Sequence, residues 1–316
     1  MAIGFSNIPA DIRVPLFYAE MDNSAANSAT SAMRRLIVAQ VNDNIAPTEV
    51  GKLVLVSSVA LAKSIGGQGS MLASMYETFR KADPIGEIWC LPLHNTEGAI
   101  AKGVLTLTGT ATQAGVLNLY VGGVRVQATV VNGATAAQAA TALAQKINAT
   151  ADLPVSAAAA EGVVTLSAKW TGDSGNDISL QFNRLGKSNG EDTPAGLTTA
   201  ITAMTGGAGV PDQTAAVAAL GDEPFEFIAM PWSDVASLNT WQAVMDDSTG
   251  RWSWAKQLFG HVYSAKRGTV GTLVAAGQAR NDQHMTIQAL EPGVPQPFWV
   301  QAAALAARTA VFISAD

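Results

Sequence analysis

Charged side chains are scarce in this sequence, at 14% of 316 residues, against about a quarter in ordinary globular domains. Ala, Thr, Ser and Gly take their place, while the 48% apolar share is ordinary. Basic runs are missing altogether. Lys and Arg never exceed two in a row (Arg34-Arg35, Arg80-Lys81, Lys266-Arg267), and the net charge is −6. A nucleic-acid surface shows as a basic patch or stripe, so direct nucleic-acid binding is not expected. The only cysteine, Cys90 in "IWCLPL", excludes an intrachain disulfide and multi-cysteine metal sites and reads as a small buried hydrophobe. His94, His261 and His284 are the only histidines, and none pairs with another at helical ligand spacing, so no metal site is expected. The N-terminus "MAIGFSNIPADIRVP" has neither the basic nor the apolar region of a signal peptide. The most apolar late stretch, "FWVQAAALAARTAVFISA" (298–315), is interrupted by Gln301 and Arg308 and is too short and weak to insert in a membrane. Synthesis in the cytoplasm is the expectation.

What is present reads as an α/β chain interrupted by a β module. Residues 1–32 form an extended arm: Pro9 and Pro15 break regular structure, Ile8, Ile12, Val14, Leu16 and Phe17 are strung along it, and "DNSAANSATSA" (22–32) resembles a flexible linker. The apolar residues need something to bury against, either the chain's own body or a neighbouring subunit through strand addition. "RRLIVAQV" (34–41) and "KLVLVSS" (52–58) read as strands. Ser57 or Ser58 caps a short helix through Lys63, and Ser70 opens another to about Lys81 with Leu72, Met75, Tyr76 and Phe79 on one face. "GEIWCLPL" (86–93) is apolar enough to be a strand covered on both faces. Then "GVLTLTG", "GVLNLYVGG", "VRVQATV" and "GVVTLSAKW" follow as strands, with a helix from Thr135, boxed by Gln138, lying on one face of a small antiparallel sheet. The stretch 186–212 reads as a loose Gly/Thr-rich return. Alternation resumes with a strand at 224–231, a helix capped by Ser233 or Asp234, a short amphipathic helix at 251–260, strands at 261–265 and 284–290, and helices at 268–280 and from Phe298 to Phe312. The expected class is α/β: a discontinuous α/β core domain with helices packed on a mixed sheet (33–97 plus 213–316), with a small β-rich (α+β) domain inserted at 98–212.

No catalytic constellation emerges. "GDSGND" (172–177) contains the Gly-Asp-Ser-Gly of a serine-protease loop, but no histidine has the matching context, and these residues suit a tight turn. "GGQGS" (66–70) lacks the lysine of a phosphate loop and suits a helix stop and start. The acid pairs Glu191-Asp192 and Asp246-Asp247 read as solvated loop carboxylates. No cofactor is called for. Trp232, Trp241, Trp252 and Trp254 cluster within 23 residues. Core packing is the default, but Trp252 and Trp254, two apart on a helix, face different ways, and tryptophan is enriched at interface hot spots.

"FSNIPADIRVPLFYAEMDNSAA" (5–26), "GQGSMLASMYETFRKADPIGEIWCLPL" (67–93), "GTATQAGVLNLYVGGVRV" (109–126), "GNDISL" (175–180) and "MPWSDVASLNTWQAVMDDSTGRWSWAKQLFGHVYSAKRG" (230–268) together resemble the tail sheath protein of Mu-like contractile-tailed bacteriophages. The resemblance implies a non-enzymatic virion protein. Its partners would be copies of itself, stacked as six-membered rings into a helical cylinder, then the tail tube protein, the baseplate and the tail terminator. Contraction of the cylinder would drive the tube through the host envelope. The arm matches the linker that adds a strand to an adjacent subunit. Family chains continue past residue 316 into a further domain, so this chain alone is expected to be monomeric. The alternatives are a receptor- or carbohydrate-binding tail module and, from "GDSG", a serine hydrolase.

Overall fold

The computed structural model describes residues 33–46 and 49–314, and Met33 to the C-terminus forms one compact unit. In chain order come β1 (Arg35–Gln40), β2 (Val54–Leu55), α1 (Val59–Gly66), α2 (Met71–Ala82) and β3 (Ile88–Leu93). Next are β4 (Ile100–Gly109), β5 (Gly115–Val121), β6 (Val124–Val130), α3 (Ala136–Ala149), β7 (Val155–Ala160), β8 (Val163–Thr171), β9 (Leu180–Phe182) and β10 (Leu197–Thr205). The chain continues with α4 (Thr214–Ala218), β11 (Phe227–Ala229), α5 (Val235–Met245), β12 (His261–Arg267), α6 (Val270–Arg280), β13 (Met285–Leu290) and α7 (Phe298–Ser314).

The first and last thirds build one six-stranded sheet in the order β13-β12-β11-β1-β3-β2. All neighbours run parallel except β2, which pairs antiparallel with β3 at the edge. Every residue of β1 is buried, as expected of a central strand covered on both faces. α2 starts where Ser70 Oγ accepts the Ala73 amide at 3.0 Å. It buries Leu72, Met75, Tyr76 and Phe79, the residues at helical spacing, against β1 and α7. The α2 C-terminus is tied to β1 by a buried ion pair. Arg35 Nε donates to Asp83 Oδ2 at 2.8 Å, with both side chains under a tenth exposed. Asp83 Oδ1 also accepts the Gly86 amide at 2.8 Å.

The middle third forms two antiparallel sheets, β10-β4-β8-β7 and β6-β5-β9, rather than the single small sheet that the sequence suggested. α3 has its capping box, Thr135 with Gln138, and packs against both sheets, on β7 and β6. The segment read as a loose return contains β10, nine residues long, paired with β4 from Leu197↔Gly109 to Thr205↔Lys102. On the outer strand β7, Asn148 bonds both the amide and the carbonyl of Ala157, at 2.9 and 2.8 Å. That occupies backbone groups another chain could pair with.

The two crossings between body and middle third touch at a neck. Ala99 and Ala208 exchange amide–carbonyl bonds of 3.0 and 3.1 Å. A Cβ on Gly98 would lie 2.0 Å from Ala208 O, and one on Gly209 would lie 2.5 Å from Glu97 O. Both have positive φ, so only glycine fits this approach. Beyond the neck a seam joins the two parts. Trp170 of β8 meets Trp299 of α7 edge to face, with centroids 5.5 Å apart. Arg267 donates to both oxygens of Asp177, at 2.5 and 3.1 Å, and Asp177 also accepts the Phe298 amide that opens α7.

Glu191, expected in solvent, is buried. It accepts Tyr120 Oη at 2.6 Å, the Leu185 amide at 2.9 Å and Arg125 Nη1 at 3.2 Å. Burial pushes its pKa up, but these three donors outweigh that and hold the carboxyl below its ordinary value. A depressed carboxyl stabilises the fold above its unfolded value, near 4.5, and that contribution is lost as pH falls through the lower folded value. E191Q should therefore melt below the native protein at pH 7, and the gap should close as pH falls toward about 3. A gap in Tm unchanged across that range would show that Glu191 is not held ionised.

Candidate interaction surfaces

The arm residues Ile8, Ile12, Val14, Leu16 and Phe17 lie outside the described residues. The tryptophan cluster lies within them, and the structure separates its members. Trp232 and Trp241 are core residues. Trp241 Nε1 donates to Gln213 Oε1 at 2.5 Å.

Residues 251–260 are not the expected helix but a chain of turns. Polar side chains compete for the backbone bonds a helix would use. Asp246 Oδ1 accepts the amides of Ser248 and Thr249, both at 2.8 Å, and Ser253 Oγ donates to Gly250 O at 2.7 Å. Arg251 pins the loop from below, donating to Gly221 O at 2.9 Å and to Glu223 O. Trp252 turns inward. It stacks on His284 with centroids 4.4 Å apart, meets Phe259 edge to face, and donates Nε1 to Gly260 O at 2.8 Å. His284 in turn bonds Asp247 at 2.8 Å. Trp254 turns outward and is 85% exposed, and Phe259 beside it is 50% exposed.

A second surface was not visible in the sequence, because its residues have an ordinary helical pattern. None of the eleven residues of α6 is buried, and Val270 and Val274 are among the exposed apolar side chains, as is Val235 at the start of α5. Between α5 and α6 runs a cleft of about 380 Å³ lined by Val235, Leu238, Ala276, Ala279 and Ile287, with Lys266 and Arg280 as its charged members. Only the failure of this helix to be covered marks the site, and that is a tertiary property.

Neither surface is arranged for chemistry. The Ser174 hydroxyl of "GDSG" is buried and accepts Trp170 Nε1 at 2.9 Å, while the Asp173 amide bonds Gly209 O at the neck, so this loop is part of the joint between body and middle third. His284 is packed under Trp252, His94 Nε2 lies 3.7 Å from Asp43 Oδ1 without a hydrogen bond, and His261, whose pKa burial and nearby His284 push down, bonds Thr286 at 2.8 Å. Burial pushes the Cys90 thiol far above its ordinary value, against the opposing charge of Arg80. Among the described residues no three His, Cys, Asp or Glu side chains are placed to hold a metal ion, and no helix is long and apolar enough to cross a membrane.

A chain with two uncovered apolar surfaces, built on a rigid α/β body, has the character of a subunit of something larger. Residues 206–315 match the central domain of phage tail sheath proteins, which contains both surfaces. The whole chain is 37% identical to the Mu-like prophage FluMu tail sheath protein of Haemophilus influenzae, an alignment that takes in 100% of this chain and 64% of that protein. The chain is thus similar along its whole length to a phage tail sheath protein and spans 64% of the curated relative it matches. A solved sheath tail protein from Listeria innocua overlaps 89% of this chain and 57% of its own, at 12% identity and a TM-score of 0.34, too remote to bear on either surface.

Proposed function

We propose that this chain is the structural part of a contractile phage tail sheath subunit, a component of the virion without enzymatic activity. The whole-chain identity to a Mu-like sheath protein carries this reading. Copies of the subunit would polymerise as six-membered rings around a tail tube, between baseplate and terminator. They would contract by rigid-body rearrangement between two packings. The body, 33–97 plus 213–316, would make the ring contacts, and the inserted domain, 98–212, would face solvent. The arm, through Ile8, Ile12, Val14, Leu16 and Phe17, would cross to a neighbour as an added strand. Trp252 would brace an interface loop and Trp254 would enter the interface.

The test compares this chain with the same chain extended to the relative's full length, by light scattering and electron microscopy, with and without tube protein. The extended chain is expected to form cylinders and the shorter one to stay monomeric. If the extended chain stays monomeric even with tube protein, the sheath reading fails.

A further inference from the structure

The two uncovered apolar features lie at opposite edges of one sheet. β11, β12 and β13 are parallel. α5 follows the C-terminal end of β11 and α6 that of β12, so Val235, with Lys266 at the end of β12, puts one end of the cleft at the C-terminal edge of the sheet, from which it runs to Ile287 and the last residues of α6. The loop bearing Trp254 leads into the N-terminal end of β12, and its Trp252 stacks on His284, the residue before β13. Trp254 therefore projects from the N-terminal edge. One feature is a knob and the other a cleft. The knob is a single indole, 85% exposed, on a loop held rigid by Arg251 and by the Trp252–His284 stack. The cleft holds about 380 Å³, near the lower end of the roughly 300–1,000 Å³ range of binding pockets.

Charge separates them as well. Of the cleft's two cations, Arg280 is engaged within the chain, 3.7 Å from Asp282 and bonded to Leu238 O, Asn239 and Gln242, which leaves Lys266, bonded to Ser233 O at 3.4 Å. The knob loop carries Asp246 and exposed Asp247 against one exposed lysine, Lys256. Lys266 thus offers the charge opposite to that of the loop, beside an apolar floor for the indole. A two-fold axis would seat both knobs reciprocally and close a dimer, whereas translating one copy along the strand direction seats one knob per contact and repeats as an open polymer; the assembly reading selects the open contact.

We propose that Trp254 is the knob of a head-to-tail contact between copies of this chain, seated in the α5–α6 cleft of the next copy. This rests on the assembly reading above and names the surfaces through which it acts. Trp254 is the anchor, α6 is uncovered in the monomer because the next copy covers it, and Lys266 meets the Asp246–Asp247 loop.

The test places cysteines beside both features without removing the knob. A255C and V235C are combined in one chain, and a short bismaleimide is added to this chain at graded concentration and to assemblies of its extended form. Cys90, the only native cysteine, is buried. The expected result is a ladder of covalent dimers, trimers and higher species. W254A in the same background should cut the ladder about tenfold or more, as truncation of an interface hot spot does. I85C, at a site 93% exposed, supplies the collisional background. Assemblies that form with no ladder above that background, or with only an intrachain link, would overturn this contact and leave the sheath reading standing. A ladder insensitive to W254A would overturn the role of the knob. If nothing assembles in any form, the sheath reading fails and this contact fails with it.

Discussion

Trp299→Ala is expected to remove about 4 kcal/mol of stability, within the 3–5 kcal/mol typical of truncating a buried tryptophan. Trp299 is 1% exposed, sits in the first turn of α7, and packs edge to face on both Trp170 and Phe298. Its Nε1 donates to Ser74 Oγ on α2 at 3.0 Å. The substitution therefore opens a cavity where α2, α7 and β8 meet and removes one bond of the half-buried Ser74 hydroxyl, which keeps its bond to Met71 O at 2.9 Å. Total stability of a domain is about 5–15 kcal/mol, so the loss should show as a large drop in the urea midpoint. Trp299→Phe, which keeps the ring contact and loses only the indole donor, should cost less than half as much. The alanine effect should also reach the seam, with Trp170, the partner ring, becoming accessible to quenchers of its fluorescence. A loss below about 1 kcal/mol would mean that the seam does not carry the packing of the middle third on the body.

Asp83→Ala is the second change of this size. It leaves the Arg35 guanidinium buried at the start of the central strand without its carboxylate, and removing one partner of a buried pair costs about 3–5 kcal/mol. Arg35 keeps its bonds to Ser314 Oγ, at 3.1 Å, and to Met33 O, and lies over the Phe227 ring at 5.9 Å. These hold it in place but do not neutralise it. Adding Arg35→Met to Asp83→Ala should recover part of the loss, because an apolar side chain has no charge to strand. A double-mutant cycle by urea denaturation should give a coupling above about 1 kcal/mol. Additive effects would show that the pair acts as two separate hydrogen-bonding groups.

How much of this was readable in advance follows from the range of each interaction. α2 and α3 were readable because their signals lie within four residues: Ser70 and Thr135 as caps, Gln138 three residues after Thr135, and apolar residues at helical spacing. β3 was readable from its continuous apolar run. β10 was missed because its pairing with β4 bridges about ninety residues, and a Thr/Ala-rich alternation is too weakly apolar to announce a strand alone. The turns at 251–260 were missed because amphipathic spacing is blind to side chains that take over backbone bonds. Glu191 was placed in solvent because nothing near it in sequence shows Tyr120 and Arg125 closing over it.

The alternation of helix and strand, the interruption by a β module, the absence of metal and redox cysteine motifs, and the likeness to Mu-like sheath proteins could all be read from the residues alone. All of these are properties of local pattern, composition and order along the chain. It took the folded chain to reveal that Arg35 is neutralised by Asp83, that "GDSG" is a joint at the neck, that Trp252 turns inward while Trp254 turns outward, and that α6 is left uncovered. Each of these depends on which distant segments share a face. Burial and partnership are set by long-range packing of the whole chain, and a helix that will be covered has the same local pattern as one that is not.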